Sequence, residues 1–205
     1  MTDFARRAAS LLAAALVATL GIPALAQQGA PMRVRGTITR IDGDKLAVKT
    51  VEGQSLVIAL APDATVVSVV PEKLAAIKPG RFVGTAARPS GDHWTALEVH
   101  VFPVGSRLGE GHRPWAPEPG ATMTNADVTA VVVHAGRTAL TLSTAGQNYV
   151  IDVPKGTPVV AMNPGTRSLV KKGAYVYFNQ VEAAPDGSLS AKQIGVSKDK
   201  RYPVK

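Results

Sequence analysis

The feature that most constrains this chain is an internal echo, in which one half of the sequence repeats the other in order. The matched segments are 34–43 with 128–136, 46–50 with 140–144, 53–54 with 146–147, 57–58 with 150–151, 78–80 with 171–173, and 96–99 with 191–194. An ordered series of matches at a nearly constant offset rarely arises by chance. We therefore interpret the chain as an internal duplication of one small unit.

Each copy has the pattern of a small all-β unit. Apolar and polar residues alternate along short segments, and these segments are separated by turn pairs such as Asp42-Gly43 and Glu52-Gly53, where glycine supplies the positive φ that tight turns need. Strands are expected at 32–41, 45–50, 55–60, 82–88 and 94–102, and again at 127–134, 138–144, 149–153, 174–181 and 189–196. Residues 62–70 are expected to be extended or irregular, and 158–170 to be a crossover.

The order of these elements predicts the fold class. Residues 71–80 begin with proline, contain helix formers and end in Pro-Gly, which predicts one or two helical turns between the third and fourth strands. Three strands, a short helix and two more strands is the order of an OB-like five-stranded barrel. We predict an all-β protein of two tandem OB-like barrels, each with that short helix. An SH3-like barrel or a small sandwich is the alternative.

The predicted domain limits follow from these elements and from composition. The first OB-like repeat covers 32–103, a Pro/Gly-rich linker covers 104–124, the second repeat covers 125–197, and a basic tail covers 198–205. Within the linker, His112, Arg113 and Trp115 place an imidazole, a guanidinium and an indole close together. Because an exposed indole is costly, we expect Trp115 to pack against one or both barrels, with these three residues as candidate ligand contacts at the seam.

The first residues have the pattern of a secretory signal peptide. Arg6 and Arg7 precede the apolar run 8–20, and 24–26 is the small-x-small pattern that precedes cleavage. We predict a signal peptide over 1–26, cleavage after Ala26 and a periplasmic or secreted protein. No second apolar run approaches the length of a membrane span, and the absence of cysteine excludes disulfides and thiolate metal sites.

Two segments resemble a known family. Residues 36–43, which open the first copy, and 186–194, which close the second, are similar to a family of bacterial exported domains of unknown function. The resemblance covers both copies. It implies small extracytoplasmic β-barrels in tandem, without an agreed activity and without catalytic residues that transfer to this chain.

Charge and aromatic residues predict where a ligand binds. The formal net charge is +8, which favours anionic lipid, envelope polysaccharide or acidic protein as a partner, while export makes nucleic acid an unlikely one. Tyr175 and Tyr177 share a face of one predicted strand, with Lys171, Lys172 and Arg167 nearby. We predict that this basic aromatic surface, together with the linker residues, binds an envelope protein or anionic envelope polymer. The predicted function is that of a non-catalytic binding or accessory module of the cell envelope.

The alternative prediction is a periplasmic metal-binding protein, or an accessory to metal transport. Its ligands would be His100, His112, Glu98 and Glu110, because the two pairs lie near the linker and a transition-metal site needs converging imidazoles and carboxylates. No nucleophile elbow, phosphate loop or calcium loop is present. We therefore predict no enzymatic activity and no cofactor.

Overall fold

The computed structural model describes residues 32–198, and within them the protein is built from twelve strands and two short 3-10 turns. The strands are β1 (Met32–Asp42), β2 (Lys45–Thr50), β3 (Ser55–Pro71), β4 (Phe82–Ser90), β5 (His93–Val101), β6 (Gly111–Pro114), β7 (Thr122–His134), β8 (Arg137–Thr144), β9 (Gln147–Val153), β10 (Val159–Pro164), β11 (Tyr175–Ala183) and β12 (Leu189–Ser197). The predicted all-β class is confirmed. The predicted signal peptide and nearly all of the basic tail lie outside the described residues.

Five strands close into a β-barrel, which we call the first barrel. β1 pairs antiparallel with β2 and β11, and β2 pairs antiparallel with β3. β12 completes the circuit by pairing antiparallel with β11 and parallel with β3. Alternate side chains of these strands face inward and form one core around Ile38, Ile58, Phe178 and Ile194, each no more than 1% exposed.

The same pattern of pairings joins five other strands, which we call the second ring. β7 pairs with β8 and β4, β8 pairs with β9, and β4 pairs with β5, all antiparallel. A short parallel contact between β5 and β9 completes this ring. Its interior is a separate apolar cluster that includes Val99, Leu140, Leu142 and Ile151, all fully buried.

The two halves of the chain exchange strands. The first barrel takes β1, β2 and β3 from the first half but β11 and β12 from the second, and the second ring takes β7, β8 and β9 from the second half but β4 and β5 from the first. This differs from the expectation that residues 32–103 and 125–197 each close on themselves. The physical cause is β3, which continues through 62–71 instead of ending near Leu60 and carries the chain out of the first barrel.

β3 and β10 join the barrel to the ring about an approximate two-fold axis. They pair antiparallel with Val69 opposite Met162, flanked by Val67 opposite Pro164 and by Pro71 opposite Val160. Val69 and Met162 occupy matching places in the two halves, so the axis passes between them. Residues 159–164, expected to belong to a crossover, are therefore the strand that makes this junction.

In the opening strands of the two halves, the residues that occupy equivalent positions in the structure are not the ones that the sequence similarity aligns. Ile38 pairs with Val48, and Val128 pairs with Leu142, each next to a β-bulge. Since Val48 and Leu142 are counterparts, Ile38 corresponds to Val128, whereas the sequence echo aligned Val34 with Val128. The β7–β8 hairpin is longer than the β1–β2 hairpin, which absorbs the difference.

Two further expectations concern the connections. In place of the predicted short helices, the chain makes single 3-10 turns at Leu74–Ala76 and Arg167–Leu169. In the linker, Trp115 is 6% exposed and packs against Ala86 and Met123 of the second ring, which confirms that the indole anchors this segment. Across residues 32–198, no helix has the length and apolarity needed to cross a membrane.

Candidate functional site

A cavity of about 390 Å³ lies where the first barrel, the second ring and the linker meet. β5 contributes Glu98 and His100 to its wall, and β11 contributes Tyr177. The linker contributes Arg113 and Trp115. The strand exchange creates this arrangement, because it brings β5 of the first half and β11 of the second half to opposite sides of the β3–β10 junction.

Glu98 and His100 form a buried hydrogen-bonded pair in the cavity wall. Val99 and Val101 face the core of the second ring, so the alternating pattern of β5 turns Glu98 and His100 to its outer face. His100 Nε2 donates to Glu98 Oε1 at 2.9 Å, and the two residues are 9% and 1% exposed. This hydrogen bond gives the buried carboxylate a partner.

Tyr177 faces the same cavity from the first barrel. Val176 and Phe178 fill the barrel core, which leaves the Tyr177 ring on the outer face of β11, where it contacts Val69 and Val160. Burial, together with the negative charge of Glu98, raises the pKa of the Tyr177 phenol well above its ordinary value. The phenol is therefore a neutral hydrogen-bonding group at physiological pH.

A glycine makes room for the Tyr177 ring. Gly195 pairs with Tyr177 across β11 and β12, and a Cβ atom at position 195 would overlap the tyrosine ring. In the first half of the chain the glycine lies on the earlier strand of the pair and the large residue on the later one, since Gly84 on β4 stands opposite His100 on β5. Each half thus pairs one glycine with one large polar residue, and both large residues reach the cavity.

The cavity is also chemically asymmetric. Glu98 corresponds to Gln193 in the duplication, and both line the cavity, but only Glu98 carries charge. The sequence signal for these residues is a difference in size or charge between matched positions of the two halves, whereas the predictions above rest on the matches.

The linker forms the outer wall of the cavity. Arg113 Nη1 donates to the carbonyl of Gly109 at 2.6 Å, and Asn125 Nδ2 donates to the carbonyl of Leu108 at 2.9 Å. The first bond closes the turn before β6, and the second, together with the pairing of β6 with β7, holds the 108–115 segment against β7. Asn125 Oδ1 is buried without a hydrogen-bond partner within residues 32–198, because it fills the space that Gly84 leaves open.

The predicted basic aromatic surface does not form as an exposed platform. Tyr175 and Tyr177 share a face of β11, but they are only 6% and 5% exposed, so neither ring is open for stacking. Arg167 donates to Asp44 at 2.9 Å and to the carbonyls of Ala61 and Pro62, which ties its 3-10 turn to the first barrel.

The remaining predicted ligand contacts divide between the surface and the cavity. Lys171 and Lys172 are exposed. Of the whole predicted ligand set, the structure brings Tyr177, Arg113 and Trp115 together at the cavity.

The four residues of the predicted metal site are not brought together. Glu98 and His100 are partners, but His112 lies on the other face of β6, and Glu110 pairs with Arg107 at 3.6 Å. His112 stacks on Tyr149 at 4.3 Å, contacts the edge of Trp94 at 5.1 Å, and bonds to Thr124 at 2.9 Å. Among the described residues, no three histidine or carboxylate side chains converge in a way that could hold a metal ion.

His112 covers the end of the second ring, and its position predicts a pH effect. Burial lowers the pKa of His112 below 6.5, so the unfolded chain binds a proton more readily than the folded one. The free energy of unfolding should therefore fall as the pH drops below about 6.5. We expect His112→Phe, which keeps a ring between Tyr149 and Trp94 but does not titrate, to show a smaller loss between pH 7 and pH 5. Urea titrations at both pH values measure this, and equal losses in the two proteins would contradict it.

Comparison with family models, curated proteins and solved structures finds no match to this chain.

Proposed function

We propose that this protein is a non-catalytic binding module of the cell envelope, and that its ligand occupies the cavity between the first barrel and the second ring. The observation that carries the proposal is the buried Glu98–His100 pair facing Tyr177 and Trp115 across an open space. A volume of about 390 Å³ and a set of convergent polar groups are typical of small-molecule sites.

The lining of the cavity favours binding over catalysis. The chain has no cysteine, and no serine or threonine lines this cavity, so the usual nucleophiles are missing from it. Tyr177 is the hydroxyl that lines it, and its raised pKa makes it a poor nucleophile or general base near neutral pH. The roles that we propose for these groups are hydrogen bonding to a ligand and its orientation.

The charges at the cavity favour an anionic ligand. Arg33 and Arg113 line the cavity, while its carboxylate, Glu98, is already paired with His100. The chain as a whole carries a net charge of +8, which adds long-range attraction for anions. An envelope location follows from the predicted signal peptide, and anionic ligands are abundant there.

The fold supports an exchanged duplication of OB-like barrels. We number the strands of each half from first to fifth: β1 to β5 in the first half, and β7, β8, β9, β11 and β12 in the second. Around the first barrel the strands follow in the order first, second, third, fifth and fourth, with the third and fifth parallel. The second ring has the same order. In this interpretation the proposed ligand lies against strands of the fourth and fifth type. That location differs from the second and third strands on which OB-like barrels bind oligomers.

The test is ligand retention by variants that fill the cavity. Asn179 is exposed on β11 and lines the cavity, whereas its neighbour Gln180 is exposed and does not line it. We expect Asn179→Trp to retain at least tenfold less ligand from an envelope extract than the wild type, and Gln180→Trp to retain as much. Native mass spectrometry after gentle washing at moderate salt measures the retained ligand. Equal retention by all three proteins would contradict the proposal.

A second arm of the same experiment separates cavity binding from general attraction to anionic surfaces. Reversing the charges of the exposed Lys171 and Lys172 should weaken only the salt-labile part of envelope association. If this double substitution abolishes retention at moderate salt while Asn179→Trp leaves it unchanged, the ligand binds the basic surface and not the cavity.

A further inference from the structure

A second space with different chemistry lies beside the cavity. This groove of about 650 Å³ shares Phe102, Leu108, Met162 and Gln193 with the cavity, so the two spaces are adjacent. We call the first space the chamber and the second the groove. The groove walls are formed mainly by apolar side chains of β3, β10 and the start of the linker, including Val67, Pro103 and Pro164.

Polar and apolar linings thus lie side by side in two adjacent spaces. The chamber holds Glu98, His100, Tyr177 and Arg113, whereas the charged residue that lines the groove, Arg167, is bonded to Asp44. We propose that the ligand is a single-chain amphiphile with an acidic head group, whose head lies in the chamber near Arg113 and whose alkyl chain lies in the groove. This proposal rests on the proposed function and adds the chemical class of the ligand.

Charge complementarity places the head group in the chamber. A carboxylate or phosphate there would meet the guanidinium groups of Arg33 and Arg113, which are donors. The faces of Trp115 and the side chain of Met123 border the same space and suit the first methylene groups. An alkyl chain passing Met162 then enters the groove.

The lining of the groove argues for an alkyl chain and against an extended peptide. Its walls are mainly apolar side chains, which offer few hydrogen-bond partners to the N–H and C=O groups of a peptide backbone. An alkyl chain has no such groups, and its burial is favourable at every methylene.

The experiment is titration calorimetry of the intact protein with alkyl carboxylates and alkyl phosphates of six to fourteen carbons, each below its critical micelle concentration. We expect the affinity to rise about fourfold for each added CH₂ until the groove is filled. We also expect the methyl ester of the best carboxylate, and the alkyltrimethylammonium of equal length, to bind at least tenfold more weakly. Comparing the carboxylate and phosphate series at equal length identifies which acidic head is preferred.

Two variants assign the parts of the ligand to the two spaces. Thr65 is exposed and lines the groove, so Thr65→Trp should abolish the gain in affinity with chain length, while Thr129→Trp on the exposed face of β7 should leave it unchanged. Arg113→Gln should weaken all acidic probes about tenfold and leave the methyl ester unaffected. Circular dichroism melts show whether each variant is folded.

The outcomes separate this inference from the proposed function. Affinity that does not depend on chain length, or equal binding of the acid, the ester and the ammonium, would overturn the amphiphile proposal. If those results occur while Asn179→Trp still removes an envelope ligand, the cavity binds a ligand of another class and the proposed function stands. If Asn179→Trp removes nothing as well, both proposals are wrong.

Discussion

Residues 32–103, produced alone, are expected not to form a folded monomer. This segment contains β1 to β5, but the first barrel needs β11 and β12, and the second ring needs β7 to β9. Without these partners, β3 has a free edge, and β4 and β5 cannot bury their apolar faces in a closed ring. We expect the loss of the whole unfolding free energy, on the order of 5–15 kcal/mol for a domain of this size. Circular dichroism melts and light scattering after size exclusion measure this.

A dimer of the same fragment would agree with the observed exchange, because two copies could supply each other with strands of the fourth and fifth type. A monomer that unfolds cooperatively would contradict it, since it would mean that one repeat closes its own barrel. Mixing the fragment with residues 104–198 should restore a folded complex of one copy of each. This control shows that the fragments themselves are competent.

Cutting the intact chain in the linker gives a complementary result. Val104 is 91% exposed, and a protease site inserted there leaves both sets of exchanged strands in place. The two pieces should remain together during size exclusion, held by β11 and β12 in the first barrel and by β4 and β5 in the second ring. Separation of the pieces without denaturant would argue for two independent barrels.

Gly195→Ala is expected to destabilise the protein by about 3 kcal/mol, because its new methyl group overlaps the ring of Tyr177. The ring packs against Val69 and Val160 at the junction of the two halves, so displacing it disrupts these contacts. Urea unfolding measures the loss. The same variant should also lower ligand retention, because a displaced ring changes the shape of the chamber.

A double-mutant cycle assigns this effect to the ring. In a Tyr177→Ala background, Gly195→Ala should cost less than 1 kcal/mol, because the overlap is gone. The cost of Tyr177→Ala itself is expected to be about 3 kcal/mol, as for other buried aromatic residues. If Gly195→Ala costs the same in both backgrounds, the loss comes from the β12 backbone and not from contact with Tyr177.

Much of the local structure could be predicted because it depends on neighbours in the sequence. Alternation of apolar and polar residues marked nearly every strand, and the Asp42-Gly43 and Asp186-Gly187 pairs marked hairpin turns, with Gly43 and Gly187 at positive φ. The cost of an exposed indole predicted that Trp115 packs. Each of these effects acts within a few residues, so it can be predicted from the local sequence.

The candidate site could be predicted only in part. Tyr177, Arg113 and Trp115 were chosen as ligand contacts, and Glu98 and His100 as metal ligands, but nothing in the sequence indicated that all five meet at one cavity. Tyr175 and Tyr177 were predicted to form a ligand surface because they share a strand face close to basic residues. Their burial depends on the neighbouring strands, and for Tyr177 on Gly195, which lies on a different strand.

The sequence by itself determined the strands, their turns and the likeness of the two halves, since these follow from local periodicity and from glycine's freedom at positive φ. The tertiary structure alone decided which half supplies the fourth and fifth strands of each ring. β5 and β12 present similar alternating faces, so their local sequences suit either pairing with β3. The choice depends on β3, whose last residues pair with β10. This pairing places β4 and β5, which follow β3 in the chain, in the second ring. That long-range pairing brings Glu98, His100 and Tyr177 to one cavity.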